Sequence, residues 1–65
     1  MEVYRVWVEW IDRRGERLVR DERMFGNCEE AMEWYTALKN SFVGAQGAGM
    51  VKSFTMHLAE EWLEV

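Results

Sequence analysis

The chain has one cysteine, Cys28, and one histidine, His57. A single thiol excludes an intrachain disulfide. One thiol with one imidazole leaves a tetrahedral zinc site two ligands short, so neither a metal nor a cofactor is expected. No apolar run approaches the ~20 residues that a membrane span needs. The opening MEVYRVWVEW carries an acid at its second position and no cationic leader, which argues against a signal peptide. A lone free thiol suits a reducing compartment, and the cytoplasm is the expected location.

What the chain does have is weight. Its 65 residues allow one domain, residues 1–65, with a thin core. Small domains without disulfides or metals rely on heavy side chains or on self-association. Four Trp, three Phe, two Tyr and five Met supply the first of these. Each buried aromatic removes roughly 150–250 Å² from water.

The net charge of −4 is unevenly spread. Acids and arginines balance over residues 1–26. Residues 27–65 carry Glu29, Glu30, Glu33, Glu60, Glu61 and Glu64 against Lys39 and Lys52 alone, so the whole excess lies there. Net negative charge argues against a general nucleic-acid binder, whose affinity comes mainly from neutralising phosphates.

Residues 3–11 alternate as a strand, with Tyr4, Val6, Val8 and Trp10 on one face and Trp7 on the other beside Arg5 and Glu9. Asp12-Arg13-Arg14-Gly15 reads as a type I turn whose glycine makes a bulge. That register sets Trp10 against Leu18, Val8 against Arg20, Val6 against Glu22 and Tyr4 against Met24. The second strand, about 16–25, is then a charged edge strand. Asn27 caps a helix, with Glu30 three residues on. Cys28, Ala31, Tyr35, Leu38 and Phe42 form its apolar stripe, and its end is expected near Asn40 or Ser41. Val43 to Gly49 (VGAQGAG) is expected to be a mobile loop. From Met50 the residues favour strand, although Phe54, Leu58, Trp62 and Val65 also fall near one helical face. The expected fold is α+β: a β-β-α-β domain with a three-stranded, mainly antiparallel sheet in order 2-1-3 and the helix packed on one face.

None of these residues forms a convincing active site. Gly44, Gly47 and Gly49 do not match a dinucleotide fingerprint and lead into a strand. Cys28 lies at a helix start, where thiols can be activated. Glu29 and Glu30 oppose that, however, and it reads as a small residue under the helix. Glu29/Glu33 and Glu60/Glu61/Glu64 stand on solvated faces, without the apolar setting a general acid needs. No catalytic residue is expected. Arg13, Arg14, Arg17, Arg20 and Arg23 beside Trp7 are the equipment of a nucleic-acid binder, but Asp12, Glu16, Asp21 and Glu22 are interleaved among them. Trp7 is expected to be partly exposed, with Arg5 and Arg23 nearby.

With its hairpin opening MEVYRVWVEWIDRRGERL and an acidic second half containing EEAMEW and EEWLEV, the chain resembles, over its whole length, the small anti-CRISPR proteins encoded by phages and mobile elements. The likeness is in particular to inhibitors of type I-C effector complexes. It implies a non-enzymatic inhibitor, in the cytoplasm of a bacterial host, that occupies a basic DNA-binding channel with carboxylates where phosphates would sit. The partner-binding residues expected from the charge map are Glu29, Glu30, Glu33, Glu60, Glu61 and Glu64 around Trp62. The expected partner is a CRISPR effector subunit, with no direct nucleic-acid contact, and the chain itself a monomer or weak homodimer. The alternatives are a nucleic-acid-binding module using the arginine hairpin, and a homo-oligomeric structural protein paired through its open sheet face.

Overall fold

A computed structural model describes residues 1–64. The chain runs β1 (Glu2–Asp12), β2 (Leu18–Phe25), α1 (Cys28–Gly47) and β3 (Val51–Trp62). The strands form one antiparallel sheet in order β2-β1-β3, with the helix against one face. This is the α+β architecture and strand order read from the sequence. The C-terminal segment is strand through Trp62; Val65, which the helical alternative invoked, lies outside the described residues.

Alternation along β1 turns Tyr4, Val6, Val8 and Trp10 toward the helix. Val6 and Val8 are fully buried there with Ala31, whose methyl lets the helix approach the sheet. Phe42 packs against Trp10 and Phe54, with ring centroids 5.0 and 5.5 Å apart, and Trp34 packs on Phe25 at 5.8 Å. The helix therefore crosses the sheet from β2 at its start to β3 at its end.

The hairpin register differs from the sequence expectation by one residue. Trp10 faces Val19, Val8 faces Asp21, Val6 faces Arg23 and Tyr4 faces Phe25. The cause is the loop. Asp12 N–H donates to Arg17 C=O, closing a loop of four residues, Arg13 to Glu16, and Asp12 Oδ1 accepts from the N–H groups of Arg14 and Glu16, both at 3.1 Å. Those bonds hold Glu16 in the loop, with Gly15 at φ +74°. A one-residue slip moves every side chain to the other face. Arg20 and Glu22 therefore lie on the open face, and Asp21 and Arg23 on the helix side.

The helix also runs further than expected, through Gly47, and most of the segment read as a mobile loop is helical. Glycine in a helix interior lowers stability without stopping the helix. What stops it is Gly49 at φ +76°. Gly49 N–H bonds Gln46 C=O and Met50 N–H bonds Ala45 C=O, at 3.0 and 2.9 Å, the paired bonds of a Schellman ending. Cys28, expected under the helix, is exposed at its first position, because the helix meets the sheet from Ala31 onward.

The resulting slab is long and thin, 42 × 21 × 10 Å. Its radius of gyration is 13.3 Å, against about 11 Å for a compact domain of this length. Much apolar surface stays uncovered.

Candidate functional site

The open face of the sheet is a cross-strand network centred on β1. Arg5 lies between carboxylates from both neighbouring strands, with Nε 2.7 Å from Glu22 Oε1 and Nη2 2.8 Å from Glu61 Oε2. The second is a directed hydrogen bond; the first is a charge contact without hydrogen-bond geometry. Glu22 also accepts from Arg20 Nη2 at 3.0 Å. Trp7 is stacked by His57 at 4.8 Å with the ring planes 9° apart, and the Arg20 guanidinium sits 5.3 Å from its ring centroid. Trp7 Nε1 donates to Glu9 Oε1 at 3.2 Å, and the same oxygen lies 3.4 Å from His57 Nε2. Cross-strand pairs of this kind contribute about 0.2–1 kcal/mol each. Together they fasten both outer strands to β1. Trp7 is half-buried, in keeping with the partial exposure expected, and the arginine over its ring is Arg20 because of the register. Arg23 lies instead over Trp34, at 5.2 Å.

The acids gather at one end of the slab. The helix begins, β3 finishes and β1 starts there, since Tyr4 is flanked by Phe25 and Glu60. Glu29, Glu30, Glu60 and Glu64 are exposed at this end, with Glu33 one turn along the helix. Asn27 Oδ1 accepts from the N–H groups of Glu29 and Glu30 at 2.7 and 3.3 Å, which fixes the helix start. Glu2, absent from the sequence-based set, belongs here as well. Hydrogen bonding with Glu2, and then its charge, hold the Glu60 carboxyl above its ordinary range. Partial burial and these two carboxylates push the Tyr4 phenol up too. The Met1 amino group lies at the same end, donating to Leu63 C=O at 2.9 Å.

The pleat divides the C-terminal cluster. Glu60 and Trp62 point to the helix side and Glu61 to the open face, where Arg5 holds it. Glu61 is therefore part of the network and not of the acidic end. Trp62 is 72% exposed. At the opposite end, Arg13, Arg14 and Arg17 project from the hairpin loop and enter none of the ion pairs among the described residues. The side chain of Lys52 lies beside Gly15 in the same region. The slab is thus acidic at one end and basic at the other.

Among the described residues, no group of three or more His, Cys, Asp or Glu is placed to hold a metal ion, and no helix is long and apolar enough to cross a membrane. The chain matches no protein-family model, no curated protein and no solved structure.

Proposed function

We propose that the chain is a non-enzymatic inhibitor that seats its acidic end on a basic, DNA-binding protein surface, in the manner of an anti-CRISPR acting on a CRISPR effector complex in a bacterial cytoplasm. The observation that carries this reading is the gathering of Glu2, Glu29, Glu30, Glu60 and Glu64 around an exposed Trp62, at the end away from the hairpin arginines. Carboxylates around an aromatic anchor give both steering and a desolvated contact on a cationic partner. The competing nucleic-acid reading loses its stacking platform, because Trp7 is held by His57 and Arg20, and Arg5 is neutralised by Glu22 and Glu61. What remains to it is the loop trio Arg13, Arg14 and Arg17.

The test is target-DNA binding by a type I-C effector complex titrated with the protein, alongside a gel shift of the protein with DNA alone. Competition that weakens as salt rises is the expected result, since screening shortens such attraction to about 8 Å at physiological ionic strength. A salt-sensitive shift of DNA by the protein itself would move the function to the loop arginines.

A further inference from the structure

The two edges of the sheet are unlike. β2 carries Arg20, Asp21, Glu22 and Arg23 in succession, the charge density that discourages strand addition. β3 has twelve residues, and from Ser53 to Ala59 its sole ionisable side chain is His57. Its register irregularity lies at its start, opposite Ile11 and Asp12, so the rest of the edge is regular.

The unpaired backbone groups of that edge can be identified. Met1 and Leu63 exchange both backbone bonds, at 2.9 and 2.7 Å. In an antiparallel ladder, bonded residues alternate. Glu61, Ala59, His57, Thr55 and Ser53 therefore bond to β1, while Trp62, Glu60, Leu58, Met56 and Phe54 turn N–H and C=O outward. The next outward carbonyl, that of Lys52, is already taken by Gln46 Nε2 at 3.1 Å. Exposed apolar side chains flank this open stretch along the chain: Met50, Leu58 and Trp62.

We propose that β3 pairs with β3 of a second copy, antiparallel about a two-fold axis at Met56, to give a continuous six-stranded sheet with both helices on one face. Ladder bonds require outward-facing residues to meet outward-facing residues, a condition that a two-fold axis at any residue of the edge satisfies, so the side chains decide the centre. Centring on Met56 forms the ladder from Phe54 to Leu58, with Phe54 against the second copy's Leu58. Beyond it, where Lys52 C=O and Met50 N–H keep their bonds within the protomer, it brings the side chain of Lys52 to Glu60 and that of Met50 to Trp62, each twice by symmetry. Centring on His57 would set Phe54 against Glu60 and Lys52 against Trp62. Centring on Leu58 would set Met56 against Glu60. Charge matching selects Met56, since no other centre sets a cation against Glu60. The same arrangement lays the acidic end of each copy beside the basic end of the other. It also supplies a cation to Glu60, which within one copy is crowded by Glu2.

This inference does not rest on the inhibitor reading. The two make competing use of Glu60 and Trp62: the dimer encloses both and leaves Glu29, Glu30, Glu33 and Glu64 outside the paired edge, so the inhibitor reading with Trp62 as anchor belongs to the monomer. The measurement is the mass of the full chain by size exclusion with light scattering over a range of concentrations. The expected mass rises to twice 7.8 kDa. Leu58→Pro removes an N–H that bonds nothing within the protomer, so it should preserve the circular dichroism spectrum and abolish the dimer. Lys52→Glu and Glu60→Lys should each weaken dimerisation by about tenfold, and the double reversal should recover it to within about threefold. If Leu58→Pro fails to fold, the reversal cycle still decides. A monomeric mass at every concentration would overturn the proposal, as would a dimer that the single reversals leave unchanged or the double reversal does not restore.

Discussion

Val6 and Val8 sit in the middle of the central strand with no exposed surface, facing a helix that buries only Ala31. A core this small has little else to close over a lost isopropyl group. Val8→Ala should cost about 2 kcal/mol, read as a lower urea midpoint with unchanged slope. An unchanged midpoint would mean that the central strand does not carry the core. At the acidic end the relevant quantity is proton binding. The folded state raises the Glu60 carboxyl above its ordinary value of 4.5, so it binds that proton more tightly than the unfolded chain does. The associated stability is complete below the ordinary value and is lost as pH rises through the raised one. Glu60→Gln should therefore melt higher than the parent at neutral pH in dilute, monomeric samples, and the difference should vanish in acid. A difference that persists below the ordinary carboxylate range would have some other cause.

The helix shows how a stop signal can be misplaced. Asn27 was legible as its cap, because a side-chain acceptor before Glu29 and Glu30 is a local feature. The far end was not legible, because Gly44 and Gly47 look like breakers whereas the termination is made by the left-handed Gly49 and its two bonds. Two substitutions separate these roles. Gly44→Ala, at a helical position with nothing within 4 Å of the new methyl, should stabilise by about 0.5–1 kcal/mol. Gly49→Ala should destabilise by about 1–2 kcal/mol, since alanine disfavours φ +76°. Thermal melts of the pair decide the helix boundary; equal effects at the two sites would return residues 43–49 to a loop. The hairpin register failed for a related reason. Whether Gly15 closes a loop of three or four residues depends on the Asp12 carboxylate, which neither composition nor alternation reveals.

Over the whole slab, the net charge of −4 separates into an acidic end and a basic loop. The acids, and the expectation that they form one surface around Trp62, were legible in the sequence, but the membership of that surface was not. Glu2 joins through the pairing of β1 with β3, and Glu61 leaves through the pleat and its bond to Arg5. That redistribution selects the probes. Glu61 is unsuitable because its loss frees Arg5, and Glu60 because it borders the β3 edge. Glu29→Gln, Glu30→Gln, Glu33→Lys and Glu64→Lys change charge at exposed positions, each with about 0.5 kcal/mol or less of effect on stability. The most direct measurement is inhibition of target-DNA binding by a type I-C effector complex, comparing the parent, this fourfold variant, and Arg13→Glu/Arg14→Glu at the other end. The acidic-end reading predicts that the fourfold variant stays folded and loses about 30-fold or more in potency, while the arginine variant inhibits like the parent. A folded fourfold variant that inhibits at full strength would contradict it.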